Sequence, residues 1–92
     1  MIINKKNRSI NKAKKAFVKW AKKRGAYPLD IYCTDNDYWA YYNRVDMFIG
    51  REYYSATFKQ HPGETPKIDV IVGDINHYDL TIKEFKELLK TI

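Results

Sequence analysis

Near the start of the chain, apolar residues recur at three- and four-residue spacing: Ile10, Ala13, Phe17, Trp20 and Ala21. At about 100° per residue they share one-third of a helical circumference, which is the period of an amphipathic helix. Ser9 is suited to cap its N-terminus, and Gly25 followed by Pro28 to stop it. A helix over residues 9–24, about 24 Å long, is therefore predicted. Arg8, Lys12, Lys15, Lys19, Lys22 and Lys23 fall in a similar arc centred nearly opposite. One face suits a core; the other is a dense row of cations.

Beyond Pro28 the period shortens to two. Leu29, Ile31 and Cys33 alternate with Asp30, Tyr32 and Thr34, which predicts a half-buried strand. Asp35–Asn36 tolerate left-handed backbone angles and suit a two-residue hairpin turn, with an aromatic strand returning over residues 37–43. Tyr38, Tyr41, Tyr42, Val45, Phe48 and Ile49 also fit helical spacing, with Thr34 or Asp35 as cap. The turn chemistry, and the indifferent helix propensity of Tyr and Trp, favour strand for residues 37–49. Residues 45–49 and 52–59 are expected as one bent strand or two short ones, broken at Gly50, a candidate bulge. Residues 60–66, with two prolines and a glycine, make a loop. Residues 68–72 (IDVIV) are apolar on both faces, which predicts a central strand, and residues 73–79 a second loop.

The last element carries the clearest local signal. Thr81 and Glu84 form a capping box, and Leu80 and Phe85 the matching hydrophobic staple, for a helix over residues 82–91. Its buried face is Ile82, Phe85, Leu88, Leu89 and Ile92, with Lys83, Lys86, Glu87 and Lys90 outside. Connections this short favour antiparallel pairing. The expected class is α+β in two layers, the N- and C-terminal helices packed on one face of a 3–4-stranded, mainly antiparallel sheet. The order is helix, three or four strands, helix. A chain of 92 residues suits one domain: basic arm 1–7, basic helix 9–24, sheet 29–72 and helix 82–91. No internal repeat, low-complexity tract or linker interrupts it.

Charge changes the picture. The net charge of +6 is unevenly spread, because residues 1–26 hold ten Lys/Arg and no Asp/Glu. Charge concentrated on one helix presents a directed field. No run is apolar enough to cross a membrane, and no secretory signal follows the charged N-terminus. Cys33 has no second cysteine to pair with and fits a reducing cytoplasm. The richness in Lys, Asn, Ile and Tyr matches AT-rich coding sequence, hence a low-GC bacterium, its phages or its plasmids.

Two surfaces follow as candidates. Arg8, Lys12, Lys15, Lys19, Lys22, Lys23 and Arg24 suit about four to seven nucleic-acid phosphates, with a salt slope near −0.9 per contact on duplex DNA. A mostly lysine row gives little sequence specificity; only Arg8, Arg24, Asn7 and Asn11 have the shape for base edges. The same amphipathic pattern would suit an anionic membrane, but the core of so small a domain needs the apolar face, so no membrane partner is expected. The tyrosines Tyr32, Tyr38, Tyr41, Tyr42, Tyr53, Tyr54 and Tyr78, with Trp39, exceed what one core can use. In each YY pair one member must face away from the other. Tyr41, Tyr42, Arg44, Arg51, Tyr53 and Tyr54 are thus candidates for a protein-binding face or for stacking on unpaired bases. That second class includes inhibitors such as phages and mobile elements carry against host defence nucleases, for example CRISPR effectors.

Catalysis is not expected. His61 and His77 stand in loops without metal-ligand spacing, and His61 precedes a turn proline. Asp69, Asp74 and His77, or Asp46 with Glu52, lack the lysine that a metal-dependent nuclease would place beside them. Cys33 has no patterned histidine partner, and the scattered glycines form no phosphate loop. No cofactor or metal is anticipated.

Overall fold

The computed structural model describes residues 8–34 and 38–92, the side chains of Arg8 and of residues 32–34 excepted. The basic arm at 1–7 and the Asp35–Asn36 turn lie outside the described residues. Helix α1 (Arg8–Lys23) is followed by strands β1 (Leu29–Thr34), β2 (Tyr41–Ile49), β3 (Glu52–Gln60), β4 (Lys67–Val72) and β5 (Ile75–Leu80), then helix α2 (Ile82–Thr91). The strands form one antiparallel sheet in chain order, β1-β2-β3-β4-β5. Both helices pack on the same face, α1 over β2 and β3 and α2 over β4 and β5. The two-layer α+β architecture stands, with a sheet of five strands.

The extra strand is β5, which occupies the segment expected as a loop. Its residues, INHYDL, lack apolar alternation because the strand is an edge, largely exposed. The turn before it, Gly73–Asp74, has Gly73 at φ +60°, and Gly50–Arg51 joins β2 to β3 with Gly50 at φ +64°. A glycine at the first of two turn residues is a tight-hairpin signature, so Gly50 makes a hairpin rather than a bulge. Residues 38–40 precede β2, which begins at Tyr41 and runs unbroken to Ile49; the helical alternative for this stretch fails. The middle of the sheet is β3, and β4 is interior beside it.

Alternation in β1 also differs from expectation. Leu29 pairs with Asp46 and Asp30 with Val45, but Tyr32 pairs with Arg44, so the register slips at Ile31. Leu29, opposite Asp46, and Ile31, at the slip, are exposed at 58% and 53% rather than half-buried.

Rings hold the two layers together. Phe17 of α1 meets Phe58 of β3 and Phe85 of α2, each at 6.0 Å between centroids, and Phe58 lies 5.4 Å from Phe85. All three are fully buried, along with Ile10, Ala13, Val45, Ala56, Ile68 and Val70. Burying each such phenyl contributes about 1.5–3 kcal/mol. Helix α1 starts at Arg8, so Ser9 lies inside its first turn rather than capping it. It ends as the glycine predicted: Gly25 at φ +77° donates to Lys22 O, and Ala26 donates to Ala21 O, the paired bonds of a Schellman motif. In α2 the capping box is complete, with Glu84 N–H donating to Thr81 Oγ1 and Thr81 N–H to Glu84 Oε1.

Candidate nucleic-acid interface

The apolar stripe that drives α1 onto the sheet also fixes where its cations point. Ile10, Ala13, Phe17, Trp20 and Ala21 are buried, and Lys12, Lys15, Lys19, Lys22 and Lys23 are exposed on the opposite side. None of these five lysines pairs with an acid among the described residues. Their spacing places like charges at i,i+3 and i,i+4 (12–15, 15–19, 19–22, 19–23), each pair costing about 0.2–0.5 kcal/mol. The first turn carries no acid to match the helix dipole; only Lys22 and Lys23 in the last turn suit it. Core packing therefore holds this helix against its own charge.

Between α1 and the start of β1 runs a groove of about 710 Å³, lined by Lys14, Lys15, Val18, Lys19, Lys22, Lys23, Pro28 and Asp30. Its one acid, Asp30, is already taken by Lys14 at 3.2 Å. The groove thus has an apolar floor at Val18 and Pro28 and a cationic wall. Phosphate oxygens are the anions such a wall suits.

Other residues in the predicted row are placed differently. Arg24 folds back over its own helix end, with its guanidinium 4.1 Å from the centroid of Trp20 and Nη1 donating to Trp20 O at 3.1 Å. It sits apart from the lysines. Asn11 accepts the Tyr41 hydroxyl at 3.2 Å, so it tethers α1 to the sheet rather than facing outward. The side chain of Arg8, like Asn7, lies outside the described residues.

The uncovered sheet face has another character. Register sets Tyr42, Arg44, Asp46 and Phe48 on it opposite Lys59, Thr57, Ser55 and Tyr53. Tyr41 and Tyr54, by contrast, point to the helical side: Tyr41 is 4% exposed, and Tyr54 lies 5.7 Å from Trp20. Each YY pair splits, as alternation requires. Burial pushes the Tyr54 hydroxyl pKa up, and the nearby Glu52 carboxylate adds to that. Arg51 is exposed in the β2–β3 turn.

Arg44 grips Asp46 with two bonds, 2.9 and 3.1 Å, and donates to the Tyr53 hydroxyl at 2.9 Å; Ser55 Oγ donates to Asp46 at 2.7 Å. Hydrogen bonding to Asp46 and Tyr53 raises the Arg44 pKa. Burial alone would push the Asp46 carboxyl up, but bonds from Arg44, Ser55 and Tyr53 outweigh it and hold the group below its ordinary value. Lys59 bonds Asp69 at 2.7 Å and approaches Asp79 at 3.4 Å. Burial would lower the Lys59 pKa, but its bonds to Asp69 and Asp79 raise it on balance.

At one end of this face an aromatic cluster gathers residues distant in sequence. Trp39 stacks on His61 at 4.1 Å, with Tyr38 and Tyr42 against them. His61 Nδ1 lies 3.0 Å from Tyr38 O. Sequence spacing gave no signal for this, because the loop after β3 supplies one partner and the segment before β2 the other.

Asp69, Asp74 and His77 do not converge: Asp69 is engaged by Lys59 and by the Asp79 N–H. Among the described residues no group of three or more His, Cys, Asp and Glu is arranged to hold a metal ion. No helix among them is long and apolar enough to cross a membrane. No protein-family model matches the chain, and no curated protein or solved structure is significantly similar to it. Fold and charge must carry the functional reading.

Proposed function

We propose that this protein is a small, non-enzymatic nucleic-acid-binding protein that docks α1 along a phosphate backbone, alone or within a nucleoprotein complex. The observation that carries the reading is the row Lys12, Lys15, Lys19, Lys22 and Lys23, exposed, mutually repelling and without an acid partner among the described residues. A polyanion relieves that repulsion and releases counterions as it binds. Lysines make point-charge contacts rather than planar bidentate ones, so binding has little sequence preference. The protein acts in the cytoplasm, where an unpaired cysteine stays reduced.

The test is fluorescence anisotropy of labelled duplex DNA, single-stranded DNA and RNA at about 50 and 200 mM salt. Binding that weakens by orders of magnitude with salt and fails for Lys15→Glu/Lys19→Glu supports the reading; no binding to any of the three at low salt removes it.

A second reading, an inhibitor that binds a protein such as a host defence nuclease, draws on one observation. Phe48 is 63% exposed and tilts against Tyr53 at 5.6 Å beside the Arg44 network, giving the open face an apolar corner with oriented polar groups. On this reading Tyr42→Ala and Tyr53→Ala abolish capture of the target, and salt has little effect.

A further inference from the structure

We infer that the phosphate-contacting surface spans both helices, and that its partner is a double-stranded rather than a single-stranded nucleic acid. This rests on the reading of α1 given above. On α2, Lys83, Lys86 and Lys90 are exposed and repeat the three-then-four spacing of Lys12, Lys15 and Lys19. The helices pack side by side, joined beneath the surface by Phe17 and Phe85. Between them runs a furrow of about 520 Å³ with Ala16, Ile82 and Leu89 along it and the three α2 lysines and Glu87 beside it. Ala16, the α1 residue that lines it, is small and exposed.

The acids of α2 do little to offset its lysines. Glu84 is turned onto the Thr81 N–H at 3.0 Å, and those Thr81 bonds hold its carboxyl below its ordinary pKa. Glu87 reaches Lys90 at 3.7 Å in an exposed pair. Lys83 and Lys86 have no acid within ion-pair distance among the described residues.

Packed helix axes lie about 8–10 Å apart, so the layer presents two cationic rows side by side, one on each helix. A single strand offers one row of phosphates, which α1 alone can follow. A duplex offers two, facing each other across grooves about 6 and 12 Å wide in B-form DNA. Two lysine rows flanking a low seam complement two phosphate rows flanking a groove.

The experiment compares Lys15→Gln/Lys19→Gln on α1 and Lys83→Gln/Lys86→Gln on α2, each losing two positive charges at exposed sites, with the control Lys67→Gln, which removes an exposed charge away from the helical layer. Circular dichroism confirms folding, and anisotropy against a duplex and a single strand gives the slope of log K on log salt. On duplex DNA, both helix pairs are expected to reduce the slope by about 1.8 and the control to leave it unchanged. On the single strand the α2 pair is expected to have no effect. A slope that responds to the α1 pair but not the α2 pair overturns this inference and leaves the α1 reading standing. A slope that responds to neither overturns both. An equal response to the α2 pair on duplex and single strand overturns the choice of a double-stranded partner.

Discussion

The two surfaces of this molecule treat their cations in opposite ways. On the open sheet face the half-buried Arg44 and Lys59 each end on acids, at 2.9 Å to Asp46 and 2.7 Å to Asp69. On the helical layer five lysines of α1 point outward with no acid paired to them among the described residues. Burial explains the first arrangement, since a partly desolvated charge must be paired. The second follows from no such requirement: a fully solvated row gains nothing from like neighbours and carries their repulsion. The contrast separates charge that serves the fold from charge left available to a partner.

Phe17 supports both surfaces, so the largest expected effect comes from removing it. Phe17→Ala should cost about 3–5 kcal/mol in urea unfolding, because the ring joins both helices to the sheet. Next, Lys15→Glu with Lys19→Glu should weaken duplex binding by roughly 100-fold at low salt while leaving stability nearly unchanged. A stability loss comparable to that of the core variant would erase the distinction between the layers.

Asp46→Ala should do the reverse, leaving nucleic-acid binding unaffected and costing about 1.5 kcal/mol. The loss is moderated because Arg44 retains contact with solvent. Thr81→Ala, which removes the α2 cap, should cost about 1 kcal/mol by the same unfolding measurement.

The smallest effect is the response to acid. Asp46 and Glu84 have pKa values below their ordinary 3.8 and 4.5. Their stabilising contributions are therefore complete above those ordinary values and disappear as pH falls through the lowered ones. Asp46→Asn should flatten the acid limb of a stability–pH curve; an unchanged limb would show that the open-face network does not stabilise the fold.

Much of this was legible in the chain itself. The α1 stripe, its glycine stop and the α2 capping box depend on residues within a few positions of one another, and local periodicity records them. The slip at Ile31 and the strand status of residues 75–80 depend on pairing with β2 and β4, which no local pattern reports. For the same reason the sequence showed that each YY pair must split but not which tyrosine faces out. Lys83, Lys86 and Lys90 were recognisable as solvent-facing; only the packing of α2 against α1 turns them into a continuation of the first row.

One feature of the sheet bears on how the protein behaves at high concentration. The inner pairs β2–β3 and β3–β4 run in regular register, whereas both outermost pairs slip, β1–β2 between Asp30 and Tyr32 and β4–β5 between Ile68 and Val70. Asp79, at φ +54°, sits beside the second slip. A growing fibril or a neighbouring copy needs a flat, evenly spaced row of backbone donors and acceptors to add a strand. At each margin that row is interrupted within a six-residue strand. Irregular borders of this kind disfavour extension of the sheet by an added strand.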